Sequence, residues 1–96
     1  MATFISLVNW TDQGIRNVKD SPDRYEAFKA VAEKAGVKVK GFYYTMGRYD
    51  MVLITEASDE AAMATMLKLC SLGNLRTETL RSFSVDEMRK FIGKMP

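Results

Sequence analysis

The acids, bases and nucleophiles available to this sequence are few. It has no histidine, so the side chain that most often moves protons near neutrality, and most often binds metals, is missing. A single cysteine, Cys70, leaves zinc, haem and an internal disulfide without their usual donors. No serine–histidine pair and no glycine-rich phosphate loop can be assembled. Neither a metal nor an organic cofactor is expected, and proton chemistry would fall to Asp50, Glu56, Asp12 or a tyrosine.

Eight side chains form the candidate ligand-binding set: Ser6, Asn9, Trp10, Tyr43, Tyr49, Asp50, Thr79 and Arg81. Asp50 stands at the start of the apolar run Met51-Val52-Leu53-Ile54, where a carboxylate buried alone is costly. It either bonds the amides of the adjoining turn or holds a partner's arginine or a ligand's amine. Tyr43, Tyr44 and Tyr49 bracket that turn and read first as core or interface anchors. Ser6, Tyr43, Thr77, Thr79 and Arg81 are read as one set able to line a cavity. Arg81 shares a strand side with Thr79 and Phe83. If that side is buried, the guanidinium requires Asp50, Glu56 or a ligand carboxylate, and an ion pair at a subunit seam is the plainer alternative. Trp10 either lines a cavity mouth or staples the incoming helix. Arg16, Lys19 and Arg24 read as a solvated helix face. Met63 and Met66 read as core gap-fillers. Cys70 is expected on a buried stripe, where a thiolate is disfavoured.

The elements that must position these groups follow from periodicity and capping. Phe4 to Trp10 is apolar on both alternating sets, which suits a central strand. Thr11-Asp12 starts a brief helix over Gln13 to Lys19. Ser21 and Pro22 then open a second helix to Ala35, with Ser21 as cap, an apolar stripe at Tyr25, Phe28, Ala32 and Ala35, and Gly36 past its end. Val37 to Met46 and Tyr49 to Ala57 read as a hairpin closed tightly at Gly47-Arg48, with Val37, Val39, Gly41, Tyr43 and Thr45 on one face. Ser58 caps a helix whose stripe is Met63, Met66, Leu67 and Cys70. Leu75 to Phe83 is the fourth strand. Ser84-Val85-Asp86-Glu87 is a capping box that opens a last helix with the stripe Met88, Phe91, Ile92 and Met95. The order predicts an α+β fold: a ferredoxin-like βαββαβ unit with a four-stranded antiparallel sheet, both paired helices on one face, plus a C-terminal helix. Residues 1–96 read as one such domain.

The sequence holds 14 basic and 12 acidic residues, interspersed, so no face concentrates charge for nucleic acid. No apolar run approaches the roughly 20 residues that span a bilayer. No secretory leader precedes the first strand, and the lone cysteine suits a reducing compartment, so the cytoplasm is the expected location. Hydrophobic residues make up 47% of a short chain. The sheet face without helices would then show Phe, Tyr, Met and Val to water, which favours covering by a second copy.

Three stretches carry a resemblance. Residues 4–19, Phe-Ile-Ser-Leu-Val-Asn-Trp-Thr-Asp-Gln-Gly-Ile-Arg-Asn-Val-Lys, residues 45–52, Thr-Met-Gly-Arg-Tyr-Asp-Met-Val, and residues 73–83, Gly-Asn-Leu-Arg-Thr-Glu-Thr-Leu-Arg-Ser-Phe, resemble the GYD domain family nearly end to end. The resemblance implies a dimeric α+β barrel and leaves activity open. The glycine–tyrosine–aspartate hairpin is also similar to the effector domain of the feast/famine (Lrp/AsnC-type) regulators, which implies higher oligomers that bind amino acids between subunits. The DNA-binding helix-turn-helix of those regulators has no counterpart here.

Three functions are therefore weighed. The first is a homo-oligomeric module that binds a small anionic or amino-acid-like ligand, or regulates, in a modest polar cavity. The second is a cofactor-free barrel enzyme of oxygenase or isomerase type, which needs Asn9, Trp10, Tyr43 and Arg81 to converge in one closed pocket. The third is a structural assembly domain with a filled interior.

Overall fold

Strand β1, Ala2–Trp10, is long enough to pair on both edges, and its residues are apolar on both faces, so it takes a central place. In the computed structural model, which describes residues 1–96, the elements run β1, α1 (Asp12–Arg16), a single 3-10 turn (Val18–Asp20), α2 (Ser21–Lys34), β2 (Lys38–Tyr44), β3 (Met51–Ala57), α3 (Asp59–Ser71), β4 (Leu75–Ser82) and α4 (Val85–Gly93). The sheet order is β2-β3-β1-β4 and every pairing is antiparallel. This is the ferredoxin-like arrangement with an added terminal helix.

Two local readings are corrected here. β2 carries a bulge: Val39 pairs with Thr55 and Gly41 with Ile54, so Lys40 is the extra residue. The bulge reverses the alternation, and Phe42 and Tyr44 join Val37 and Val39 on the helix side while Tyr43 turns to the other. The connection to β3 is the six-residue loop Thr45–Asp50, longer than a two-residue turn. Thr45 closes it, its amide donating to the Asp50 carbonyl at 2.9 Å and its hydroxyl to the Tyr49 carbonyl. Gly47 inside it has φ +104, a conformation that disfavours a Cβ.

Capping is as expected at three helix starts. Thr11 accepts from the Gly14 amide, Ser58 from the Ala61 amide, and Ser84 and Glu87 close a reciprocal capping box. Ser21 departs from expectation. It is buried inside the first turn of α2 and its hydroxyl bonds the Tyr44 hydroxyl at 3.0 Å, while Asp20 takes the cap position without a side-chain bond.

α2 packs on β2, and α3 on β3 and β4. The helices close over the sheet at one end, where Ala32, Val37, Ala57 and Ala62 form a fully packed cluster. Small side chains let the backbones approach there. α3 sits on Ala62 and Thr65, which are buried, so Met63 and Leu67 face outward at 63% and 64% exposure. Of the expected stripe Met66 and Cys70 turn toward the sheet, the Met66 Sδ 3.9 Å from the Ser6 hydroxyl and the Cys70 Sγ 3.7 Å from the Thr77 hydroxyl. α4 makes no extended contact with any other element and the molecule is elongated, 51 × 31 × 18 Å. Twelve of the 96 residues are buried, a thin core that leaves much apolar surface uncovered.

Candidate functional site

The eight candidate residues fall into three separate places. Trp10 and Asp50 belong to a clamp at the end of β1. The Asp50 carboxylate accepts from the Trp10 amide at 3.0 Å, and the Asp50 amide donates to the Val8 carbonyl at 2.8 Å. The aspartate thus extends the β1–β3 ladder by one side-chain bond, to a strand amide rather than to turn amides. The Trp10 ring stacks on Tyr44 at 6.3 Å and lies against Gly14 of α1, so it staples the helix. Around it, Thr11 donates its hydroxyl to the Gly73 carbonyl at 2.6 Å and its amide to the Asn74 carbonyl at 3.0 Å. Gln13 reaches the Leu72 carbonyl and the Asn74 amide oxygen. The opening motif and the α3–β4 turn are one hydrogen-bonded unit.

Ser6, Thr79 and Arg81 lie on the helix side of the sheet. The two hydroxyls bond each other at 2.9 Å. Arg81 is exposed and lies over the Phe83 ring at 4.5 Å and the Phe4 ring at 5.6 Å, with its Nη1 on the Ser82 carbonyl. Cation–π contact replaces the anionic partner expected for it, because the edge position of β4 leaves the guanidinium in water. This row edges a shallow groove beside α3, shared with Met63, Met66, Leu67 and Cys70. The Cys70 thiol is half-buried, 3.7 Å from the Thr77 hydroxyl.

Asn9, Tyr43 and Tyr49 lie on the opposite side. Tyr43 does not join Ser6, Thr77, Thr79 and Arg81, since the β2 bulge turns it away. Tyr49 donates its hydroxyl to the Glu78 carboxylate at 2.9 Å, and this bond holds the phenol above its usual pKa, with the carboxylate's charge adding to it and Arg48 opposing. This face carries Ile5, Leu7, Val52, Ile54 and Leu80 at its middle, ringed by Lys38, Glu56, Arg76 and Glu78. An apolar centre inside a charged rim is the make-up of an interface.

Sequence reasoning missed a second concavity. Beyond Phe28, which packs against the alanine cluster, α2 and α3 part and leave a groove of about 430 Å³ over Val8, Met51 and Leu53. α2 contributes Arg24, Phe28, Val31 and Ala35, and α3 contributes Thr65, Lys68, Leu69 and Leu72. It is apolar, in contrast to the polar cavity expected. The signal was present: Arg24, Phe28, Val31 and Ala35 recur at i, i+4, i+7 and i+11, a helix stripe as regular as the one chosen. The stripe of α4, Val85, Met88, Phe91 and Ile92, with Met95 just past the helix end, is also largely exposed, each residue between 45% and 70%. Its tie to the body is the edge-on contact of Phe91 with Phe83 at 5.0 Å. No group of three or more acidic or cysteine side chains is placed to hold a metal, and no helix is long and apolar enough to cross a membrane.

Comparison with known proteins agrees with this scaffold. A protein of Thermus thermophilus named glutamine synthetase and cystathionine beta-lyase binding protein is 37% identical over 90 residues, which span 92% of this chain and 95% of that protein. No solved structure matches. The GYD domain model matches residues 4–92, which take in the clamp at the end of β1, the Gly47–Asp50 loop and the whole sheet, and the chain belongs to the GYD domain family.

Proposed function

We propose that this chain is a non-catalytic, homo-oligomeric binding module of the cytoplasm that attaches to a larger metabolic enzyme and adjusts it, with a small ligand setting the attachment. The observation that carries the reading is α4. Its start is secured by a capping box, and its apolar stripe stays largely exposed, meeting its own chain at Phe83. A helix of this kind is a common unit of groove recognition, read through anchors at i, i+3, i+4 and i+7. Met88, Phe91 and Ile92 have the first three of these spacings within α4, and Met95 follows two residues past the helix end. The name of the Thermus relative, a binding protein for two enzymes, supports an enzyme as the partner.

The enzymatic alternative has less support. Asn9 and Tyr43 lie on one face of the sheet, Trp10 and Arg81 on the other, and Trp10 and Arg81 stand at opposite ends of the β1–β4 pair. No single pocket of one chain takes all four.

The test uses the purified full chain with glutamine synthetase and cystathionine β-lyase from the same source. A complex with at least one of them is expected by gel filtration and calorimetry. Ile92→Lys, at an exposed site, should weaken it at least about tenfold without altering thermal unfolding. Absence of a complex with either enzyme, or a complex that Ile92→Lys leaves intact, overturns the reading.

A further inference from the structure

The groove between α2 and α3 holds two cations, Arg24 and Lys68, one from each wall, and no carboxylate. Arg24 is held by one arm: its Nη1 donates to the Asn17 carbonyl at 2.8 Å. Its other terminal nitrogen, Nη2, is shut off from solvent and has no hydrogen-bond partner. The acids next to it in sequence, Asp20 and Asp23, make no ion pair with it, since the chain's one ion pair joins Arg89 to Asp86. A charged N–H left without an acceptor is costly, and a carboxylate oxygen, brought to it by a small shift of the side chain that lines the groove, is the acceptor its charge favours. The floor beneath offers only carbon and sulfur, from Val8, Met51 and Leu53.

From this geometry we infer that the groove is a receptor for a small amphipathic monoanion, an aliphatic or aromatic carboxylate whose apolar part lies over Val8, Met51 and Leu53 and whose acid group meets Arg24 with Lys68 across from it. The volume is within the range of small-molecule pockets, and filling it removes the penalty of unfilled apolar walls in a thin core. A free amino acid fits poorly, because its ammonium group would enter an apolar groove that has two cations and no acid. The inference rests on the ligand part of the proposal above and is independent of the protein partner. The same chain without any enzyme present tests it, so failure here leaves the docking of α4 untouched.

Straight-chain carboxylates of about six to ten carbons, and primary alcohols of the same lengths, are titrated into the full-length chain by calorimetry below their micellar concentrations. The affinity of both series should rise about fourfold per methylene, the equivalent of about 0.8 kcal/mol for each buried CH2. Each carboxylate should bind at least about tenfold more tightly than its alcohol. Arg24→Met should abolish that preference while the alcohols bind as before. Val31→Trp, a change on the exposed lip that narrows the groove, should weaken both series and leave unfolding temperature unchanged. Absence of binding, affinity independent of chain length, or a carboxylate preference that survives Arg24→Met overturns the inference.

Discussion

A methyl group added at Gly14 would collide with the carbonyl oxygen of Asn74 and press on the Trp10 ring. Backbone carbonyl and stacked indole are both fixed by their neighbours, so neither yields cheaply. Gly14→Ala should therefore lower stability by about 3 kcal/mol, read by chemical denaturation, and Gly47→Ala, where strain is confined to φ and open space surrounds the site, by about 1 kcal/mol. Equal effects would contradict this account of the clamp. Single residues were the hardest scale to read from sequence. Gly14 stood in the opening motif with no local reason to be glycine, because its reason is a carbonyl 60 positions away. Asp50 was legible as a carboxylate needing donors, yet its donor, the Trp10 amide, comes from another strand. Arg24 passed for surface charge because the burial of one of its nitrogens depends on where α3 lies.

At the scale of elements, capping signals carried well. Ser58 and the Ser84–Glu87 box were readable because their bonds span three residues and need no tertiary partner. The box also makes α4 sensitive to acid. The Ser84 amide donates to the Glu87 carboxylate and holds it below its usual pKa; desolvation opposes this, and the Ser84 hydroxyl and the charges of Arg81 and Lys90 add to the lowering. A lowered folded-state pKa means that the box contributes fully above the ordinary glutamate value of about 4.3 and loses its contribution as pH falls through the lowered one. The protection of α4 amides, measured against their intrinsic exchange rates, should fall over that acidic range, and Glu87→Gln should flatten the dependence. An unchanged pH profile in Glu87→Gln would refute the assignment. Strand faces were less legible. The inserted Lys40 in β2 changes which tyrosine meets the helices, and a bulge leaves no mark on an alternating pattern until its partner strand is known. The stripe of α3 was misjudged in part for a related reason: large apolar residues marked one face, but the helix settles on Ala62 and Thr65, where small side chains allow close approach.

For the whole molecule, the uncovered area is the central quantity. Ile5, Leu7, Val52, Ile54 and Leu80 occupy the middle of a sheet face that no helix covers, with charges around them. We propose that two copies join through this face. Light scattering after gel filtration should give a dimer or a higher ring. Ile54→Lys, which places a lone charge in the contact, should weaken self-association by at least about 100-fold and leave the monomer folded. A wild-type chain that stays monomeric at high micromolar concentration would remove the pairing, and with it any site shared between subunits.

From the sequence alone came the order of elements, the ferredoxin-like sheet, the capped helix starts and the family, because each rests on patterns a few residues long or on a motif carried whole. The tertiary structure alone decided which side chains meet. It divided the eight candidates among three places, parted α2 from α3 to open the groove and left α4 largely exposed. Those outcomes depend on how closely two backbones approach at Ala32, Ala57 and Ala62, and on one bulged residue. Both are properties of packed pairs, which no single segment encodes.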